Sequence, residues 1–171
     1  DLEKSLSCVA IIGSQSHNTY IPPEDKDGID DTDLMFIVTP PSEIQLGISN
    51  WDGQNIKINE LDVIIYSLQK FTRLLLKSNP NVLSILWLDP QHYTYKSPEF
   101  DKYYLEQRTN FSSRAAYYSF CGYAKSRLHK MESGKHEGYM GQKRQELVTK
   151  YGFDCYKAAH CIRLLRMGVE F

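Results

Sequence analysis

Three apolar runs in the first part of the chain have the residue pattern of β-strands. They cover residues 7–12, 34–38 and 56–66, and they are rich in valine and isoleucine. Gly13 and Ser14 end the first run, and Pro40 and Pro41 stop the second. The pattern predicts three strands, of which the third is the longest.

Helical spacing replaces the strand pattern further along the chain. Ser67 is a predicted N-cap for a helix whose apolar residues Leu68, Phe71 and Leu75 recur on one face. Further helices are predicted over residues 79–87, 97–107, 113–131, 146–151 and 154–167, with a linker at 133–141 that contains three glycines. We predict an α+β protein with a small mixed, twisted sheet flanked by helices in residues 1–90. An α-helical domain would follow in residues 91–171.

Two carboxylates precede the second strand at a spacing that suits metal binding. Asp31 and Asp33 are two residues apart, so in an extended chain they share a face with Cα atoms roughly 6.5 Å apart. A third carboxylate, Asp62, lies inside the next apolar run, where an unpaired charge would be costly. Glu60 shares the face of Asp62 but lies nearer the edge of that run. Oxygen ligands suit Mg²⁺, so the three acids predict a metal site, although solvated loop residues and a salt bridge would explain them separately.

The Gly13–Ser14 pair follows the first strand and precedes a long polar loop over residues 16–28. A glycine at a strand end lets a phosphate approach the backbone, and the serine adds a hydroxyl donor. A plain turn is the ordinary role of such a pair. Its position upstream of the acids predicts phosphoryl-transfer chemistry, and a loop of this length is often functional.

The net charge of −1 hides a difference between the two parts of the chain. Residues 1–90 hold 6 Lys+Arg against 13 Asp+Glu, a net of −7, and residues 91–171 hold 14 against 8, a net of +6. An acidic part beside a basic part suits a metal site that faces a polyanion-binding surface. It suits equally well two surfaces that are simply solvated.

The last predicted helix carries Lys157, His160 and Arg163 three residues apart, which places them along one face. Three cationic or donor groups in such a row could bind phosphates. A solvated basic face with an interior histidine fits the same spacing.

The composition also bears on the compartment. No apolar run approaches the length of a membrane span, and no signal peptide is evident. The four cysteines lack CxxC spacing and have the pattern of reduced thiols. We therefore expect a cytoplasmic protein without membrane contact, and the sequence leaves its oligomeric state open.

The order of the motifs resembles that of the nucleotidyltransferases of the DNA polymerase beta superfamily. Gly13–Ser14 comes first, the Asp31-x-Asp33 pair second and Asp62 third. Three longer stretches are similar to the branch associated with RNA ligases and RNA repair in bacteria and phages. They are LDVIIYSLQKF at 61–71, SNPNVL at 78–83 and KAAHCIRLLRMG at 157–168.

This resemblance implies a set of roles for the residues above. It implies that Gly13 and Ser14 bind a nucleoside triphosphate and that the three aspartates bind Mg²⁺ or Mn²⁺. It adds weight to Lys157, His160 and Arg163 as nucleotide-binding residues. The chain departs from the family pattern at Asp30, where a serine is usual, and in the long loop over 16–28, and both departures could reshape the nucleotide pocket.

We therefore predict an enzyme that transfers a nucleoside monophosphate from an NTP to a hydroxyl acceptor by a two-metal mechanism, with an RNA end as a candidate acceptor. The alternative is a catalytically degenerate module of the same fold that only binds nucleotide or RNA. A metal-dependent nuclease is a weaker third hypothesis. The sequence specifies neither the acceptor nor the preferred nucleotide.

Overall fold

The strands form one mixed sheet in the computed structural model, which describes residues 5–22, 24–25, 31–58, 61–132 and 142–170. The described strands are β1 (Leu6–Ile12), β2 (Thr32–Val38), β3 (Gly53–Ile58), β4 (Leu61–Ser67) and β5 (Tyr93–Lys96). Their order across the sheet is β3-β4-β2-β1-β5. The β2–β4 pair is parallel and the other three pairs are antiparallel.

Seven α-helical segments accompany these strands in the described residues. They are α1 (Ser42–Gln45), α2 (Leu68–Leu76), α3 (Pro80–Leu83), α4 (Pro98–Phe100), α5 (Arg114–Glu132), α6 (Gln142–Tyr151) and α7 (Cys155–Glu170). A 3-10 turn over Ser84–Trp87 extends α3, and a π-helical turn over Asp101–Leu105 extends α4. The predicted α+β architecture, a mixed sheet with a helical C-terminal region, is confirmed.

Local sequence signals explain where four of the helices begin. Each has a polar cap whose side chain accepts a hydrogen bond from a backbone amide two or three residues later, which satisfies one of the amides left open at a helix start. The caps are Ser67, Asn79, Ser97 and Asp154. Proline follows directly at two of them, in α3 and α4, where its fixed φ suits the first helical turn.

One face of the sheet packs against the helices and carries the first carboxylate. Alternate residues of a strand share a face, so Asp33 lies on the same face as Met35 and Ile37, both of which are buried. The core that contains these two residues also contains Cys8 and Ala10 of β1 and helical residues such as Phe71, Leu75, Leu83 and Leu86. Asp33 therefore lies at one end of the sheet face that the core covers.

Helix α7 is held in place by α5. The buried residues Phe120 and Ala124 of α5 belong to the same core as Cys161 and Leu164 of α7. A Cβ at Gly168 of α7 would lie only 2.9 Å from Cβ of Phe120, so the two helices approach closely there. This packing fixes the position of the basic residues on α7.

The prediction of one long strand over residues 56–66 is wrong. Residues 56–66 contain parts of two antiparallel strands, in which Ile56 pairs with Val63 and Ile58 pairs with Leu61. Gly53, which has the residue type of a turn, begins β3. β3 contains the polar residues Gln54, Asn55 and Lys57, and the sequence signal for a break before β4 is the polar pair at positions 59–60. Residues 59–60, and Glu60 with them, lie outside the described residues.

The expectation that strands end near residue 90 is also wrong, because β5 pairs with β1. Its sequence, YTYK, is short and half polar, as an edge strand tolerates. The helix predicted over 97–107 is α-helical only in α4 and continues as the π-helical turn. The division at residue 90 stays a prediction, and it places β5 on the helical side. The predicted linker at 133–141 lies outside the described residues, as do residues 23 and 26–28 of the predicted loop.

Candidate active site

Two of the predicted carboxylates, Asp33 and Asp62, belong to a row of paired residues that crosses four neighbouring strands. Ile12, which directly precedes Gly13, pairs with Asp33 in the β1–β2 register. Asp33 pairs with Asp62 in the parallel β2–β4 register. Asp62 in turn pairs with Lys57 on β3. Residues directly opposite one another in a sheet share a face, so this row places Asp33, Asp62 and Lys57 side by side.

The glycine turn lies directly against the second aspartate. Gly13 has φ of +72°, a conformation that glycine adopts without steric cost. A side chain at this position would collide with the Asp33 carboxylate, so residue 13 must be glycine for the two to be adjacent. Gln15 donates from Nε2 to Thr32 Oγ1 at 2.9 Å, which ties the turn to the Asp31-x-Asp33 segment. The turn that includes Ser14 and the acid pair therefore form one unit.

A lysine ammonium lies between the first and third carboxylates. Lys57 Nζ is 2.6 Å from Asp31 Oδ2 and 3.5 Å from Asp62 Oδ1. The hydrogen bond to Asp31 raises the pKa of the lysine, and the two carboxylate charges add to that effect. The position between Asp31 and Asp62 thus already attracts a cation, and its ligands are the carboxylate oxygens that Mg²⁺ and Mn²⁺ prefer. The donor set therefore fits a divalent ion. With the Lys57 ammonium between the two acids, however, no three His, Cys, Asp or Glu side chains among the described residues lie close enough together to hold a metal ion.

Helix α7 brings a cationic cluster to the same end of the sheet. Arg163 Nη2 donates to His160 Nδ1 at 2.8 Å, so the remaining proton of a neutral His160 is on Nε2. Burial lowers the pKa of Arg163, whereas the charge of Asp33 raises it, which places the guanidinium within electrostatic range of that carboxylate. Electrostatic interactions with Arg127 of α5 and with His17, three residues after Ser14, both lower the pKa of His160.

The two histidines of this cluster are held neutral. Burial lowers the pKa of His17 to about 4, and the positive charge of Arg163 adds to the shift. Burial is also the largest cause of the lowered pKa of His160, which is about 4. Electrostatic interactions with Arg163, Arg127 and His17 contribute to the same shift, in decreasing order. His160 Nε2 is buried and has no hydrogen-bond partner in the part of the chain that the structure describes. A buried donor without a partner beside a half-buried arginine suits an anionic ligand.

We expect Arg163→Met to raise the pKa of both His17 and His160, but only partly, because burial is the larger cause and is retained. The measurement is an NMR titration of the histidine ring nitrogens, with Arg166→Met on the exposed next turn of α7 as the control. Values that stay at about 4 in Arg163→Met would show that the arginine charge does not act on them.

These pKa values also set the direction of a pH dependence. The unfolded histidines bind protons near pH 6.5, whereas the folded ones resist protonation until about pH 4. The stability that depends on the two neutral histidines is therefore fully present above pH 6.5. The free energy of unfolding then decreases progressively as the pH falls from 6.5 toward 4.

Lys157 does not join this cluster directly. Its ammonium is 3.7 Å from the Asp154 carboxylate, whose other partner is Arg144 at 2.7 Å. Burial alone would raise the pKa of Asp154, but the hydrogen bonds and charge of Arg144 hold it below its usual range. This buried ion group anchors the start of α7, so only His160 and Arg163 of the predicted row belong to the cationic cluster.

Three residues at the site were not predicted from the sequence. Lys57 becomes visible only when β3 is placed next to β4, because its role depends on the register with Asp62. His17 lies in a polar loop, and Arg127 lies in a helix with many charged residues. A basic residue opposite an acid in a predicted hairpin is the signal that could have identified Lys57.

A comparison with protein-family models identifies the family of the chain. A family model described as "RNA repair pathway DNA polymerase beta family" matches residues 24–169, which include the three aspartates and α7. The chain belongs to this family. The motif order predicts a member of the DNA polymerase beta superfamily, and this match confirms it. Gly13 and Ser14 precede the matched range, so their assignment depends on the adjacency to Asp33.

A nucleotidyltransferase-like protein from Exiguobacterium sibiricum is similar in structure, with 11% sequence identity and a TM-score of 0.40. The similarity covers 97% of this chain and 49% of that chain, so the chain spans about half the length of that protein. No curated protein matches the sequence. Within the described ranges, none of the helices is both long and apolar enough to cross a membrane.

Proposed function

We propose that this protein transfers a nucleoside monophosphate from an NTP to a hydroxyl acceptor, with Mg²⁺ or Mn²⁺ held by Asp31, Asp33 and Asp62. The observation that carries this proposal is the register of Asp33 with Asp62, directly beside the Gly13 turn. The strand register brings the two carboxylates side by side. The Gly13 turn leaves the backbone beside them uncovered by a side chain. A phosphate chain and its metal ions need both features together.

The chemistry follows from these positions. The acceptor oxygen attacks the α-phosphorus of the NTP, the bond from that phosphorus to the bridging oxygen breaks, and pyrophosphate leaves. Asp31, Asp33 and Asp62 would hold the divalent ions, which would supply positive charge to stabilise the negative charge that develops in this displacement. A carboxylate oxygen of Asp62 would accept the proton of the attacking hydroxyl.

The triphosphate would lie between the glycine turn and α7. Gly13 offers close backbone approach, and Ser14 offers a hydroxyl and an amide. On the opposite side, Arg163 supplies a fork of donors and His160 supplies the Nε2 proton that has no partner in the described residues. Lys157 would support this side from its ion pair with Asp154, by fixing the first turn of α7.

An RNA end is the acceptor that we favour. The description of the matched family as an RNA repair pathway family supports this choice. The positive charge of residues 91–171, a net of +6, supports a polyanionic acceptor as well. The four cysteines are free thiols, which supports a reducing compartment such as the cytoplasm.

The direct test uses purified protein, Mg²⁺ and each α-³²P-labelled NTP, with RNA oligonucleotides that carry 3′- or 2′-hydroxyl ends. We expect release of pyrophosphate and transfer of label to one class of end, both abolished by chelation of the metal. Nucleotide binding without turnover on any acceptor would contradict an enzyme and favour a binding module. Cleavage of RNA without added NTP would instead indicate a nuclease.

A further inference from the structure

Lys57 occupies a defined place in the carboxylate row. It lies on β3, the edge strand beside β4, and its register partner is Asp62. Its ammonium contacts Asp31 at 2.6 Å and Asp62 at 3.5 Å, although the lysine side chain is 60% exposed. A long, exposed lysine can adopt many orientations at little cost, so its position over two acids reflects their combined negative charge.

Lys57 contacts one oxygen of each of the two carboxylates whose oxygens a divalent ion between Asp31 and Asp62 would need. Mg²⁺ requires oxygen ligands at about 2.0–2.1 Å in near-ideal geometry, which leaves no room for an ammonium group between the same two acids. The two cations would also repel each other at such a distance. Lysine and metal therefore exclude one another at this position.

We propose that Lys57 is the resident counter-cation of the carboxylate row, and that a divalent ion binds between Asp31 and Asp62 only by displacing it. The ammonium holds the two acids together while no metal is bound, and it lowers the affinity of the site for the metal. Because the side chain is largely exposed, the displaced ammonium can move into solvent at the edge of the sheet without disturbing the core. This inference rests on the proposed function only in taking Asp31 and Asp62 as metal ligands.

The test measures metal binding without nucleotide and without turnover. Mn²⁺ is titrated into the protein while free Mn²⁺ is followed by its EPR signal, for the natural chain, Lys57→Met and Lys57→Gln. Removing one positive charge in contact with the site should tighten Mn²⁺ binding by about one decade or more in both variants. Added Mn²⁺ should also raise their melting temperatures more than that of the natural chain.

A matched control comes from another exposed ion pair. Arg73, whose side chain is 59% exposed, pairs with Asp52 outside the carboxylate row. Arg73→Met should leave the Mn²⁺ isotherm unchanged. Lys57→Arg retains the charge and should bind Mn²⁺ no more tightly than the natural chain.

Two results would overturn the proposal in different ways. If Asp62→Asn abolishes Mn²⁺ binding but Lys57→Met and Lys57→Gln bind as the natural chain does, the metal site stands and the role of Lys57 is refuted. If Mn²⁺ binding is insensitive to Asp31→Asn and Asp62→Asn, these acids are not metal ligands, and the proposed function fails together with the inference.

Discussion

Asp33→Asn is expected to abolish nucleotidyl transfer and leave the fold intact. Asp33 is the centre of the carboxylate row, since it pairs with Asp62 and lies against Gly13. Asparagine has the same shape, so the contact with Gly13 is retained, but it lacks the charge that a divalent ion requires. Metal stabilisation of a phosphoryl transition state is worth several kcal/mol, which corresponds to a loss of roughly three to four decades in rate.

The stability of the variant distinguishes an active-site acid from a structural one. Removing one of several neighbouring like charges relieves repulsion, so the melting temperature of Asp33→Asn should be unchanged or slightly higher. Asp52→Asn, a carboxylate that pairs with Arg73 outside the row, is the control and should transfer at the natural rate. Transfer by Asp33→Asn within about tenfold of the natural rate would refute the assignment of Asp33 as a metal ligand.

Arg163→Met is expected to weaken NTP binding by about one to two decades. A charge-assisted hydrogen bond contributes about 1.5–3 kcal/mol, and each 1.4 kcal/mol is a factor of ten. Methionine keeps most of the apolar stem of this half-buried side chain and removes only the guanidinium. Calorimetry with each NTP and Ca²⁺, which binds oxygen ligands as Mg²⁺ does, gives the dissociation constants.

Two further variants separate phosphate binding from a structural role of Arg163. Arg166→Met, on the exposed next turn of α7, should bind NTP as the natural chain does. Arg163→Lys retains the charge and should recover part of the affinity, because lysine still binds phosphate as a point charge. If Arg163→Lys and Arg163→Met lose affinity equally and both melt at a much lower temperature, Arg163 stabilises α7 through His160 and the nucleotide contact is refuted.

The centre of the site could be predicted from the sequence because its residues interrupt an otherwise clear pattern. Asp62 is a charge in an apolar strand, Asp31 and Asp33 have the period of an extended chain, and Gly13 ends the first strand. Their adjacency needs only two strand pairings, β1 with β2 and β2 with β4. The structure places these residues together, and their roles as ligands remain predictions.

The remainder of the site depends on long-range geometry that local patterns do not encode. Lys57 lies on β3, which the sequence pattern does not separate from β4. Likewise, the electrostatic interaction of Arg163 with Asp33 depends on how α7 packs on α5. The ion pair between Lys157 and Asp154 was not predicted. Asp154 is recognisable in the sequence as a helix cap, but its burial is not.

The pairing of β1 with β5 has a consequence for biosynthesis. β1 is highly apolar, and one of its edges is covered by Tyr93–Lys96, with Cys8 paired to Lys96. At a synthesis rate of roughly 5–20 residues per second, that edge stays open for several seconds after β2 has emerged from the ribosome. An open apolar edge is a template for pairing with other nascent chains, so this interval is when the protein is most exposed to aggregation. A fragment that stops at residue 90 would never close the edge, and the shortest fragment in which both edges of β1 are paired must extend through Lys96.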